Sequence, residues 1–124
     1  MSKYSIVVID DDTVTLDIVT YALEDALDTT VYAFNRSEMA REFLLNNASD
    51  KLSLIISDQN MPQYDGLTLL RDCRHAGIAT PFILLTADAT RDTVIAAKKG
   101  GATQFLAKPF VSDDLVDKVK SLLI

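Results

Sequence analysis

The chain has 124 residues, 48% hydrophobic and 24% charged, the balance of one ordinary globular domain able to bury roughly two-thirds of its unfolded surface without staples. Eighteen acidic against twelve basic side chains give a formal net charge of −6, which argues against direct nucleic-acid binding and against attraction to an anionic membrane. One cysteine, Cys73, excludes an internal disulfide or a Cys-rich metal site, and no apolar run is long enough for a bilayer or a signal core, so a single cytoplasmic domain over residues 1–124 is expected.

The first element is a strand over Tyr4–Ile9, whose end, Ile6-Val7-Val8-Ile9, is apolar without alternation. Leu16, Val19, Leu23, Ala26 and Leu27 then recur at helical spacing and form one stripe. A second strand, Thr30–Phe34, is followed by Asn35 and Glu38, which read as a helix cap and its partner, opening a helix that should bury Met39, Phe43 and Leu44. The third strand is predicted over Leu52–Ser57, and its helix turns Leu67, Leu70 and Cys73 inward before Gly77 ends it. Pro81–Thr86 is the fourth strand, followed by a helix with Val94, Ile95 and Ala97 inward and Gly100-Gly101 as its stop. Gln104–Ala107 is the fifth strand. The last helix has Asp113 and Asp114 in its first turn and Lys118 and Lys120 in its last, as the helix dipole favours, with Leu115, Val119, Leu122 and Leu123 as its apolar stripe.

Five strands alternating with five helices predict a doubly wound α/β fold, a parallel sheet between two helical layers. Ligands of such folds bind at the carboxyl ends of the strands, where strand order reverses. The residues at those ends are Asp10-Asp11-Asp12 after strand one, Asp58 after strand three, Thr86 at the end of strand four and Lys108-Pro109 after strand five. With strand order 2-1-3-4-5 the first and third strands are neighbours, and their carboxylates converge. Two unit charges ~4 Å apart repel by about 1 kcal/mol in water and about 4 kcal/mol in a partly buried site. A hard divalent cation relieves that repulsion, and a shallow oxygen-lined site with open water positions suits Mg²⁺. A lysine and a hydroxyl opposite the cation supply what a phosphoryl group's equatorial oxygens need.

Each residue alone also has a plain structural use. Asp11 or Asp12 can cap the first helix, Asp58 can serve the turn SDQNMPQYDG, Thr86 suits a strand and Lys108 suits a solvated loop. Their joint occurrence on one edge favours the site. His75 reads as a surface residue and Cys73 as a small core side chain.

Together these residues resemble the receiver domain of two-component response regulators, in its chemotaxis-type single-domain form. The resemblance covers essentially the whole chain: Val8-Ile9-Asp10-Asp11, Asp58-Gln59-Asn60-Met61-Pro62 with Asp65-Gly66, Thr86-Ala87, Gly101-Ala102 and Lys108-Pro109-Phe110 follow in family order. It implies a flavodoxin-like (βα)5 three-layer sandwich that accepts a phosphoryl group and is not an enzyme acting on other substrates. Asp58 is implied as the nucleophile, taking the group from the phosphohistidine of a histidine kinase or phosphotransfer protein. Asp11 and Asp58 are implied as direct Mg²⁺ ligands, Asp10 as a ligand through water, and the Asn60 backbone carbonyl as the last protein ligand. Lys108, through a bond to Pro109 that is typically cis, pairs with the phosphoryl oxygens, and Thr86 moves to hydrogen-bond them beside the small Ala87. Phe105 matches the aromatic switch, although as a strand residue it is equally a half-buried aromatic. Asn60 and Asp88 occupy positions that the resemblance links to phosphoryl lifetime.

The implied output is a population shift, read by a downstream effector at the face of the fourth helix, fifth strand and fifth helix, where Arg91, Lys98, Lys99, Lys118 and Lys120 lie. The chain is compatible with a single-domain regulator and with the first domain of a longer protein.

Two rivals remain at this level. In a haloacid dehalogenase-like phosphohydrolase, IVVIDDDTV would supply Asp10 as nucleophile and Asp12 as acid/base, with PFILLT and Lys108 as later motifs. The chain is short for that fold, lacks its late acidic pair and leaves DQNMPQYDG without a use. A non-phosphorylated pseudo-receiver would have lost an acidic residue, the lysine or the threonine, and all are present.

Overall fold

The computed structural model describes residues 2–47 and 52–124. Strands and helices alternate as β1 (Tyr4–Ile9), α1 (Thr13–Ala26), β2 (Thr29–Phe34), α2 (Ser37–Asn47), β3 (Leu54–Asp58), α3 (Gly66–His75), β4 (Phe82–Thr86), α4 (Arg91–Gly100), β5 (Gln104–Ala107) and α5 (Ser112–Leu123). All strand pairs are parallel and the order is β2-β1-β3-β4-β5, so the fold is the expected doubly wound sandwich.

Strand position follows from polarity. The apolar segments without alternation, in β1, β3 and β4, occupy the centre, where helices cover both faces. β2 and β5 are only partly buried and sit at the edges. One face packs Val7, Ile9, Ile55, Phe82 and Leu84 against Ala40, Leu44, Leu69, Leu70, Cys73 and Ala97 of α2, α3 and α4. The other packs Ile6, Val8, Leu54, Ile56, Ile83 and Leu85 against α1 and α5 through Leu16, Val19, Leu23, Leu115 and Val119. Fully burying each large aliphatic side chain contributes ~1.5–3 kcal/mol, so this double core sets the rigidity of the sheet edge.

The helix starts are set locally. Asp12 caps α1, Asp65 caps α3 and Thr90 caps α4, each accepting a backbone N–H of the first turn. Gly101, at φ 97°, closes α4 in the left-handed region.

The structure departs from the sequence expectations at several points. α2 begins at Ser37, with Arg36 in the cap position, its carbonyl accepting the Ala40 N–H, while Glu38 pairs with Arg36 at 2.6 Å; Asn35 and Glu38 are therefore not a cap and its partner. Leu44 is buried as expected, but Ala40 takes the other inward position and Met39 is 54% exposed. Ile95 is 37% exposed because Ala97 takes the inward position on α4. β3 runs two residues later than expected at its start and includes Asp58, which pairs in register with Leu85. α5 runs to Leu123, so only Lys120 of the two lysines lies in its last turn.

Candidate functional site

Parallel strands end on one edge, and the polar strand ends meet there. β1 delivers Asp10, β3 delivers Asp58, and the segment after β5 delivers Lys108. Ligand oxygens of Asp10, Asp11 and Asp58 lie within 4.8 Å of one another. The Lys108 Nζ reaches Asp10 Oδ2 at 2.9 Å and Asp58 Oδ1 at 3.0 Å. Asp10 and Asp58 are buried, whereas Asp11 is open to solvent.

The acidic triplet divides its work. Asp10 Oδ1 accepts the Asp12 N–H at 2.9 Å, which folds the turn after β1. Asp12 uses both oxygens locally, accepting the Val14 N–H at 3.1 Å and the Thr15 hydroxyl at 2.8 Å. The Thr15 bond, with the Val14 bond, holds the Asp12 carboxyl below its ordinary pKa. Asp12 is a cap, and Asp10 and Asp11 are left for the cluster.

Burial pushes the Asp58 carboxyl above the usual range, the nearby charges of Asp10 and Asp11 push the same way, and Lys108 only partly offsets them. Burial alone would discourage the Lys108 charge, but the bonds to Asp10 and Asp58 outweigh it and hold the ammonium above its ordinary pKa. Three carboxylates against one ammonium leave an excess of negative charge on hard oxygen donors, which is the donor chemistry a divalent cation fits.

Asp58 is fixed from several sides. Gln59 donates its N–H to the Leu85 carbonyl at 2.8 Å, extending the β3–β4 ladder, and its own carbonyl accepts the Gly66 N–H at 3.0 Å. The Gln59 side chain accepts the Leu67 N–H at 2.8 Å and donates to Asp65 at 3.2 Å, stapling the start of α3 to the residue after Asp58. Gly66 lies so close that a Cβ there would stand 2.6 Å from the Asp58 carbonyl oxygen and 2.6 Å from Leu84 Cδ1. The Asp-Gly pair thus caps α3 and lets it approach β3.

Thr86 is fully buried, and its hydroxyl is occupied in the turn after β4: it accepts the Asp88 N–H at 3.0 Å and lies 3.2 Å from the Asp88 carbonyl. It is not bonded to the acidic cluster. The Thr86 carbonyl accepts the Lys108 N–H at 2.7 Å, which links the two strand ends, and the Lys108–Pro109 bond is cis. Asn60 is exposed in the loop two residues beyond Asp58. Phe105 is half-buried on β5, beside a cleft of about 290 Å³ shared with Ala97, Lys98 and Ala102.

Asp10, Asp11, Asp58 and Lys108 are therefore brought together, with Thr86 and Asn60 on the same edge and Phe105 on the neighbouring strand. Sequence reasoning gave no role to Gln59; its polar side chain directly after the apolar strand was the available signal. His75 is exposed at the end of α3 and Cys73 lies in the core beside Leu70 and Phe82, where burial pushes its thiol up to about 11, so neither belongs to the site.

A family model described as the response regulator receiver domain matches residues 6–120. The chain is 33% identical to the C4-dicarboxylate transport transcriptional regulatory protein DctD of Pseudomonas aeruginosa, over 98% of this chain and 26% of DctD. It is 32% identical to the response regulator MprA of Mycolicibacterium vanbaalenii, over 95% of this chain and 49% of MprA. It spans about a quarter to a half of these curated relatives. The receiver domain of the Francisella response regulator 1452 superposes with a TM-score of 0.85 at 32% identity, covering 98% of this chain and 97% of that one.

Proposed function

The chain belongs to the response regulator receiver domain family and is a phosphoacceptor signalling domain of a two-component system, and from that premise we propose that Asp58 is the acceptor and that residues 1–124 form one such domain. The observation that supports it most is the position of the Asp58 carboxylate, buried at the end of β3 with Lys108 3.0 Å from one oxygen and the other carboxylates within 4.8 Å.

The donor is the phosphohistidine of a histidine kinase or phosphotransfer protein. As the new P–O bond to Asp58 forms, the donor's P–N bond breaks and the imidazole leaves with the electron pair. Asp10, Asp11, Asp58 and the Asn60 backbone carbonyl would hold Mg²⁺, which neutralises charge on the transferring phosphoryl oxygens. Lys108 supplies a positive charge beside the acceptor, already held in place by its bonds to Asp10 and Asp58. The chemistry is confined to the domain's own aspartate. Next to Lys108 a groove lined by Asp12, Thr15, Ile18, Ala87, Pro109 and Phe110 is open to solvent.

Thr86 leaves the Asp88 turn for the new phosphoryl oxygens, and Phe105 follows by turning into the space vacated beside α4. The face of α4, β5 and α5 then differs between the two states and is offered to a downstream effector, with Arg91, Lys98 and Lys99 exposed on α4. The net charge of −6 favours a protein partner over nucleic acid or a membrane surface, and the proposed compartment is the cytoplasm. No helix among the described residues is long and apolar enough to cross a membrane.

The hydrolase alternative needs Asp12 as a free acid/base, and both of its oxygens are engaged at the start of α1. Intact mass after incubation with Mg²⁺ and acetyl phosphate tests the assignment. Wild type gains a phosphoryl adduct, Asp58→Ala gains none, and Asp10→Ala is labelled slowly. An adduct lost only in Asp10→Ala overturns it.

A further inference from the structure

The loop from β3 to α3 carries Asn60, and its far half is bent sharply. Gln63 has φ 71°, and the Tyr64 N–H donates across it to the Pro62 carbonyl at 2.9 Å. A bond spanning one residue of positive φ is a γ-turn of the kind that side chains other than glycine resist. Such a turn persists only where its surroundings hold it.

Here α2 holds it. Ser37, the first residue of α2 and only 2% exposed, donates its hydroxyl to the Pro62 carbonyl at 2.6 Å and accepts the Tyr64 N–H at 3.1 Å. One hydroxyl thus spans both ends of the turn, a task that needs a donor and an acceptor on the same atom. One helical turn further on, Arg41 lies over the Tyr64 ring at 5.0 Å and pairs with Asp72 of α3 at 2.9 Å. The other end of the loop is tied by Gln59 to the start of α3. Asn60 sits between these two anchors.

We infer that Ser37 is a positioning residue of the phosphoacceptor site: by bridging Pro62 and Tyr64 it holds the strained turn and, through it, sets the Asn60 carbonyl where a cation bound by Asp11 and Asp58 meets it. The inference rests on the proposed reading of Asn60 as a cation ligand. It gives the buried hydroxyl at the start of α2 a use that helix capping does not supply, since the hydroxyl points across to the loop.

The test is a Mg²⁺ titration followed by amide NMR shifts, a readout independent of phosphorylation, on wild type, Ser37→Ala, Gln63→Gly, the double variant and Asp11→Ala. Ser37→Ala weakens Mg²⁺ binding about fivefold, the equivalent of one lost hydrogen bond. On the Gln63→Gly background the same change weakens it by less than about twofold, because glycine adopts positive φ without strain. Asp11→Ala loses binding. Equal affinity of wild type and Ser37→Ala, or the same loss on both backgrounds, overturns the role of Ser37 while the cation site stands on Asp11→Ala. Absence of Mg²⁺ binding in wild type overturns the cation reading and the inference with it. Should Ser37→Ala fail to fold, Ser37→Cys, which keeps nearly the same volume but weakens both bonds, replaces it in the same comparison, a loss of Mg²⁺ affinity confined to the Gln63 background supporting the role and equal affinity overturning it.

Discussion

Replacing Asp58 by Asn should make the metal-free protein more stable. The substitution keeps the volume of the side chain and an oxygen for Lys108, and it removes one charge from three that converge. At an effective dielectric of about 20, an ammonium 3.0 Å away attracts the Asp58 charge by about 5–6 kcal/mol, while each carboxylate within 4.8 Å repels it by at least about 3 kcal/mol. The two repulsions together exceed the single attraction by about 1–2 kcal/mol, and burial adds to the cost, in accord with the raised pKa of this carboxyl. Thermal unfolding at pH 7 in EDTA should therefore show the Asn variant melting roughly 5 °C higher. Mg²⁺ should close the gap: at ten times its dissociation constant it stabilises wild type by about 1.4 kcal/mol and has less to hold in the variant. The pH dependence has a definite sign. A carboxyl whose folded pKa lies above 3.8 contributes stability that is complete below 3.8 and is lost as pH rises through the folded value. The gap between variant and wild type thus opens on raising pH from below 3.8 and is full at neutrality. A variant that melts below wild type in EDTA at pH 7 would refute the reasoning, because Lys108 would then outweigh burial and both carboxylates.

Lys108→Ala should lower metal-free stability by about 2–3 kcal/mol in denaturant unfolding, since Asp10, 1% exposed, loses the cation 2.9 Å away; it should also tighten Mg²⁺ binding several-fold in a calorimetric titration, because a competing cation is gone. Gly66→Ala puts a Cβ 2.6 Å from the Asp58 carbonyl and from Leu84, and should cost about 1–3 kcal/mol in urea unfolding while slowing acetyl phosphate labelling. Thr86→Ala should leave labelling of Asp58 measurable by mass but abolish the accompanying amide shifts on α4, β5 and α5, because the hydroxyl proposed to leave the Asp88 turn is missing.

The legibility of this chain follows the range of the interactions involved. The strands buried on both faces announced themselves because a stretch such as Ile6-Val7-Val8-Ile9 admits no solvent face, and the expected order 2-1-3-4-5 leaves β2 and β5, only partly buried, at the edges. Asp10, Asp11, Asp58 and Lys108 were legible because parallel topology turns strand ends into neighbours whatever the side-chain detail. What was not legible depends on phase or on distant partners. Met39 was expected inside because Asn35 resembled a cap, but the helix begins at Ser37 and Ala40 takes the inward position instead. Ser37 has no local signature at all, since its partners lie 25 and 27 residues away. Asp12 was separable from Asp10 and Asp11 only once its oxygens were seen to face Val14 and Thr15.

The arrangement also bounds how firmly the site can switch. In the structure Lys108 pairs with both Asp10 and Asp58, and Thr86 is held by the Asp88 backbone. Releasing Thr86 costs about one to two ordinary hydrogen bonds, or about 1–2 kcal/mol net. A bond from its hydroxyl to a charged phosphoryl oxygen returns about 1.5–3 kcal/mol. Moving a population from 1:99 to 99:1 requires about 5.5 kcal/mol of difference between the two states. Thr86 alone does not supply that. On the proposed mechanism the remainder would come from Lys108 exchanging its buried carboxylates for the phosphoryl oxygens and from Phe105 burying its exposed part beside α4. A full shift would need all three contributions together, so removing any one of them should leave the switch incomplete.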